Sequence, residues 1–432
     1  MESDIITERR SFDSLLADCV HCGFCLPACP TYNSWGEEMD SPRGRIDLMK
    51  GVEDGAIPLD GVVKEHIDAC LGCMSCVTAC PSGVRYDLLI ETTRAKIEAE
   101  VPRDPADAGF RNFVFALFPY PGRLRVLAPL LWFASKLGLP RIAASPLGKL
   151  LPPRLRQLAT MAPPIDLKDT FASLPAKTPA SGERRARVAL VAGCVQRTFF
   201  PNVNAATIRV LAAEGCEVLV PRGQGCCGAL SLHSGRLDEA KAFARALIAR
   251  FEQRDVDAIL INAAGCGSTL KEYGELLAED AEWSDRALAF ATKVRDINEY
   301  LATLEPQAPR YPIPLRVAYH DACHLAHAQR VREQPRALLR SIPGLELLEI
   351  PNGDQCCGSA GTYNLFQPES AHEIGVRKVD NVASVAPDLL ASANPGCTLQ
   401  IGSILRERGA TLRAAHPIEL LDASIGGRQP GP

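Results

Sequence analysis

The chain has 432 residues, a net charge of −4, 47% apolar side chains and 17 cysteines. That length suggests two or three domains with room for large cores, and the slight negative charge gives no reason to expect nucleic acid as a partner. So many cysteines would form a disulfide framework in a secreted chain, but the start, MESDIITERRSF, is charged and lacks an apolar core segment and a small-residue cleavage site. A cytoplasmic location follows, where a reducing milieu favours metal or cluster binding.

Residues 1–100 hold two copies of one pattern. Cys19, Cys22, Cys25 and Cys29 precede Pro30, and Cys70, Cys73, Cys76 and Cys80 precede Pro81. Each copy reads C-x2-C-x2-C-x3-C-P, the bacterial ferredoxin run that holds a 4Fe-4S cluster. The fourth cysteine usually ligates the other cluster when two runs share a domain. Cys19, Cys22, Cys25 and Cys80 are therefore assigned to one cluster, and Cys70, Cys73, Cys76 and Cys29 to the other. A pair of C-x2-C zinc sites is the alternative, and it leaves the third cysteine and the prolines without a role. Pro30 and Pro81 are expected to stop the chain continuing as helix after the ligand. Apolar spacing predicts helices over Arg43–Lys50, Asp60–Ala69 and Leu88–Glu100, and so an α-helical ferredoxin domain with two clusters.

Residues 101–186 differ in texture. Thirteen of the 33 prolines lie between Pro102 and Pro179, which predicts short helices separated by extended linkers. The most apolar stretch, Phe110–Leu139, is interrupted by Arg111, Arg123, Arg125 and several prolines and glycines, and is too broken to span a membrane. Its mixture of aromatic, aliphatic and basic residues suits a membrane surface or a partner, or packing against the chain's own domains. Pro175–Arg187 is polar and marks a domain boundary.

Residues 187–315 and 316–432 are two copies of one unit. Cys194 and Cys323, Cys226-Cys227-Gly228 and Cys356-Cys357-Gly358, and Gly265-Cys266 and Gly396-Cys397 recur at separations of 129, 130 and 131 residues. Each copy reads as α/β. In the first, strands are expected at Val188–Ala192, Glu217–Val220 and Ala258–Asn262, and helices at Val203–Ala213 and Leu237–Phe251. The fold class is thus α+β and multidomain, with the cysteines at the carboxyl ends of strands, where ligand sites of α/β sheets gather.

Adjacent side chains on an extended backbone point to opposite faces. For two neighbouring cysteines to share a metal centre the chain must bend, and Gly228 and Gly358 supply that freedom. Cys194, Cys226, Cys227 and Cys266, and likewise Cys323, Cys356, Cys357 and Cys397, then offer four thiolates each. Such a set suits zinc or a further iron–sulfur cluster; inert buried thiols are the plain alternative. Cys216 has no counterpart in the second copy and reads as core.

The two ferredoxin runs followed by two cysteine-rich domains, with LVAGCVQR, GCCGALSLHSG, YHDACHLAH and QCCGSAGTYN, resemble the iron–sulfur subunits of bacterial glycolate oxidase (glycolate dehydrogenase). The same architecture occurs in the small subunit of anaerobic glycerol-3-phosphate dehydrogenase and in heterodisulfide reductase relatives. The resemblance implies a separate FAD subunit that oxidises glycolate to glyoxylate or a related 2-hydroxy acid such as lactate. This chain would pass the electrons towards quinone, peripherally on the inner face of the cytoplasmic membrane. The fullest form of the family's cysteine-rich motif ends in C-x-x-C, whereas here the last position is Thr269 or Gln400. This argues against the five-cysteine noncubane cluster of heterodisulfide reductase and against disulfide-reducing chemistry.

His320, His324 and His327 flank Cys323, while the first copy has only His233 after its Cys-Cys-Gly. One of them could ligate or support a metal, but the favoured reading is hydrogen-bonded or exposed imidazole. No nucleophile–base triad, phosphate loop or GxGxxG fingerprint occurs, so no catalytic residue is assigned and no flavin is expected on this chain.

Overall fold

The computed structural model describes residues 10–163 and 165–430. The ferredoxin region is helical: Pro42–Glu53, Gly61–Ala69 and Tyr86–Glu100 pack around Ile46, Met49, Ile67, Leu89, Ile90 and Ile97. No described residue before Lys177 lies in a strand. Pro81 follows the end of the short helix Ser75–Ala79, but Pro30 begins a helix, Pro30–Trp35, instead of preventing one. At the first helical position the missing N–H has no intrahelical partner to lose, and the fixed φ is already helical.

The same physics corrects the reading of the Pro-rich region. Pro105–Leu117, Pro121–Lys136 and Pro153–Thr160 all open on proline, and Pro121–Lys136 carries Pro129 within it. From Pro105 to Thr160 the helices, several of them short as expected, follow one another closely instead of being spaced by extended linkers.

Each repeat is built on a mostly parallel sheet. The first contains β1 (Lys177–Thr178), β2 (Ala186–Val191), β3 (Cys216–Leu219), β4 (Ala258–Ile261) and β5 (Val294–Asp296), ordered β1-β3-β2-β4-β5. Only β1 pairs antiparallel. It lies upstream of residue 187, so the polar stretch marked as a boundary already contributes an edge strand. The second sheet, β6 (Arg316–His320), β7 (Glu346–Glu349), β8 (Leu389–Ser392) and β9 (Arg413–Ala415), is ordered β7-β6-β8-β9 and wholly parallel.

Period-two alternation places the strands between two layers. Val188 and Leu190 of β2 share a core with Val317 and Tyr319 of β6, whereas Ala189 and Val191 face a second core within the first repeat. The shared core welds the repeats together, and helices Pro201–Ala213 and Pro417–Ile425 contribute Val210, Leu211, Ile418 and Leu421 to it. Cys216 is buried in this core. The copies also share polar detail. The Arg187 amide donates to Asp257 at 2.8 Å, as the Arg316 amide does to Asp388 at 2.8 Å. Asp296–Glu299 and His416–Glu419 form equivalent capping boxes.

The ferredoxin domain is clamped onto the repeats. Arg94 donates to the His233 carbonyl at 2.8 Å, and Gly235, at φ +83°, lies where any Cβ would collide with the Arg94 carbonyl. Gly235→Ala should therefore push helix Tyr86–Glu100 off the first repeat and destabilise the fold by roughly 1–3 kcal/mol. The expected outcome is a lower thermal midpoint and faster hydrogen exchange along that helix.

Candidate metal centres

Cys80 of the second ferredoxin-type run lies with Cys19, Cys22 and Cys25 of the first around one cavity. Cys76, Ile46, Val84 and Tyr86 line the same cavity. Cys29 turns inward instead, with Thr31 Oγ1 at 3.1 Å and the Asp40 carbonyl at 3.6 Å. Its charge is felt by Cys73 and Cys76 alongside that of Cys70. Thiols converging on one apolar cavity fit a cluster's donor set, and such a cluster would supply one-electron exchange. The first group is nearer to solvent: Cys22 is exposed, between Val20 and Phe24, which are 67% and 68% exposed.

Taking thiolates out of water disfavours their charge. Burial pushes the Cys25 thiol up to about 11, and Cys73 and Cys76 are raised as well. Cys70 is the exception. Burial opposes its ionisation, but the guanidinium groups of Arg45 and Arg94 outweigh it and hold the thiol below its ordinary value. Arg45 is itself only 1% exposed. It donates to the carbonyls of His66 and Asp40, both at 2.6 Å, and to the Asp40 carboxylate at 3.0 Å. Sequence reasoning passed over Arg45; the available signal was a cation placed among Ile46, Leu48 and Met49 on a buried helix face. Arg45→Gln should lower the reduction potential of the centre at Cys70, Cys73 and Cys76 by something on the order of 50–100 mV, because it removes a charge that favours the added electron. A redox titration followed by electron paramagnetic resonance, with the more exposed centre as internal control, reads this shift.

In the repeats the cysteines gather at the carboxyl ends of the strands. Cys194 follows β2, Cys226 and Cys227 follow β3, and Cys266 lies in helix Ala264–Lys271 after β4. Cys323, Cys356, Cys357 and Cys397 occupy the same places after β6, β7 and β8. Gly228 and Gly358 take φ +85° and +86°, the left-handed bend that lets two adjacent cysteines serve one centre. In the first repeat Cys194 Sγ lies 3.6 Å from Cys226 Sγ, and Cys227 contacts both Cys226 and Cys266. Hydrogen bonds from those two neighbours hold the Cys227 thiol below its ordinary value. In the second repeat the contacts run from Cys323 to Cys356, Cys357 and Cys397. Thr269 and Gln400 are buried and supply no thiolate. Gln400 instead bonds Asn364 at 3.0 Å and the Ala371 carbonyl at 3.1 Å.

The two cysteine-rich sites are placed differently. Cys323 and Cys356 pack with Leu71 and Cys73 in one apolar cluster, so the second repeat abuts the second ferredoxin run directly. Cys194, Cys226 and Cys227 lie in the core of the first repeat.

The histidines depart in part from the hydrogen-bonded or exposed reading. His327 does follow it: Ser75 Oγ is 2.9 Å from its Nε2 and Thr78 Oγ1 is 2.7 Å from its Nδ1. His320 does not. It is fully buried, neither ring nitrogen has a hydrogen-bond partner, and one of them lies within 4.8 Å of the sulfurs of Cys357 and Cys397. Burial, aided by Lys378, pushes its pKa down to about 3. The His324 ring lies 4.8 Å from that of His233, tilted by 47°, and His233 Nδ1 is 2.9 Å from Glu91.

Comparison with known proteins covers the same regions. Residues 15–84 match the 4Fe-4S dicluster domain, and residues 188–271 and 317–402 match the Cysteine-rich domain. Residues 106–162 match the linker region of the glycolate oxidase iron–sulfur subunit. The chain is 38% identical over 426 residues to the "Probable glycolate oxidase iron-sulfur subunit" of Bacillus subtilis, covering 97% of this chain and 96% of that one. It is 35% identical over 426 residues to the "Glycolate oxidase iron-sulfur subunit" of Escherichia coli, covering 96% and 95%. It is 32% identical to "Lactate utilization protein A" of a Geobacillus species over 55% of this chain and 99% of that one. With near-complete coverage by two such relatives and a match in every region of the fold, the chain belongs to the family of glycolate oxidase iron–sulfur subunits.

Proposed function

We propose that this chain is the electron-transfer subunit of a glycolate (2-hydroxy acid) dehydrogenase. It takes electrons from an FAD-bearing partner that converts glycolate to glyoxylate and delivers them towards quinone. Cys19, Cys22, Cys25 and Cys80 hold one 4Fe-4S cluster, and Cys70, Cys73, Cys76 and Cys29 hold the other. The observation that carries this reading is the graded burial of one continuous series of thiols. It runs from the exposed Cys22 to the buried Cys73 and on to Cys323 and Cys356, which pack against it. The apolar rim at Val20 and Phe24 suits a docked partner. Lactate is the second substrate to consider, since a relative matching 55% of this chain is named for lactate utilisation.

A peripheral site on the membrane belongs to the same proposal. No described helix is long and apolar enough to cross a membrane. Between Asp107 and Asp166 the sequence has no acidic residue and eight arginines and lysines. The same segment exposes Val126 (82%), Leu130 (63%), Phe133 (55%), Leu137 (57%) and Leu150 (85%). Exposed apolar groups among an excess of cations are what an anionic lipid surface binds.

Two measurements test the proposal. The purified chain should contain iron and sulfide yet not oxidise glycolate until the flavoprotein is added; full turnover by the chain alone would overturn the reading. The chain should also co-sediment with phosphatidylglycerol vesicles, less so at high salt, and Leu130→Asp with Phe133→Asp should weaken this at least tenfold (an order-of-magnitude expectation for losing two buried apolar groups). Equal binding to phosphatidylcholine vesicles would rule out the electrostatic part.

A further inference from the structure

The two repeats share a scaffold but not a ligand set. His320 ends β6, where it pairs in register with Ser392; at the same register in the first repeat Val191 of β2 pairs with Ile261. The offsets, 320 − 191 = 129 and 392 − 261 = 131, equal those of the cysteine landmarks. An imidazole thus replaces an isopropyl group at one structural position. Nearby, Lys378 is 2% exposed, donates to the carbonyls of Asn352 and Gly353 at 2.9 and 3.0 Å, and carries its charge beside Cys356, Cys357 and Cys397. The corresponding stretch of the first repeat's helix is Leu247–Ile248.

We infer that His320 is a metal ligand, and that the second repeat holds a mixed thiolate–imidazole centre formed with Cys357 and Cys397 and completed by Cys323 or Cys356. Three observations carry this. The imidazole and both sulfurs converge within 4.8 Å. His320 is fully buried with both nitrogens unpaired, a state that buried polar groups avoid unless an ion or other partner is present. The fifth cysteine of the fullest motif is absent, and Gln400 in its place is engaged by Asn364 and Ala371, away from ligand duty. Thiolate with imidazole suits zinc or the iron of a cluster. With Cys323 and Cys356 packed on Cys73, this centre lies at the buried end of the thiol series. The first repeat, with Val191, lacks the nitrogen ligand and differs in what it binds.

The location at the end of an electron path rests on the proposed function, but the ligand assignment is tested separately. The full chain, purified without oxygen, is compared with His320→Val, which installs the first repeat's own residue, and with His320→Cys, which keeps a soft ligand. X-ray absorption at the zinc and iron edges and pulsed electron paramagnetic resonance read the ligand shell, and metal analysis reads occupancy. Wild type should show metal beyond the two ferredoxin-type clusters, with nitrogen in its shell. His320→Val should lower the nitrogen-ligated share of that extra metal about fivefold or more and leave any metal of the first repeat in place, while His320→Cys should keep the metal and lose the nitrogen signal. Zinc-edge or iron-edge nitrogen identifies which metal is held. Unchanged ferredoxin-type spectra show that each variant folds, whereas their absence from wild type would count against the proposed function instead. Full metal with an unchanged shell in His320→Val, or no extra metal in wild type, overturns the inference.

Discussion

Thiol groups withdrawn from water govern this structure. A buried thiolate needs a metal or a cation close by, and the chain supplies cations from its helices. Arg45 reaches from one ferredoxin helix to the carbonyls of two segments beside Cys29 and Cys70. Arg94 bonds the Cys70 carbonyl and the His233 carbonyl, and so joins the second run to the first repeat. Lys378, bonded to the Asn352 and Gly353 carbonyls within the second repeat, places its charge beside Cys356, Cys357 and Cys397. Of these charges, Arg94 is also a contact that docks the ferredoxin domain on a repeat.

The duplication separates scaffold from chemistry. The shared core needs the same alternation from both sheets, so the two copies retain it. The aspartates that receive the first strand's amide, the capping boxes and the two left-handed glycines recur because each meets a backbone demand of the common fold. Position 320 answers to no such demand. At the end of a strand, facing the cysteines, it is free to be Val191 in one copy and His320 in the other. Proximity to Cys73 separates the copies further, since the second repeat alone packs its cysteines against the ferredoxin run.

The segment between the ferredoxin domain and the repeats shows how proline can organise helices. Placed at the first turn, as in Pro105–Leu117 and Pro121–Lys136, it sacrifices no hydrogen bond and sets the start. Helices made this way bury residues such as Val114, Phe115 and Leu124 against the body and leave Val126, Leu130 and Phe133 outside. An apolar outer face beside an excess of cations is a surface made for contact.

By itself the sequence determined what depends on local spacing. The two C-x2-C-x2-C-x3-C-P runs, the duplication and the Cys-Cys-Gly bends are set by chain neighbours, because a loop of a few residues admits few geometries. Helix Leu237–Phe251 was legible for the same reason. Where a local rule has two outcomes the sequence left the choice open: Pro30 starts a helix where Pro81 follows the end of one. Tertiary structure alone decided why Arg45 is buried, that Cys323 and Cys356 pack on Cys73, and that His320 faces Cys357 and Cys397. Each of these depends on side chains brought from distant segments by sheet pairing and core packing, and no spacing along the chain records them.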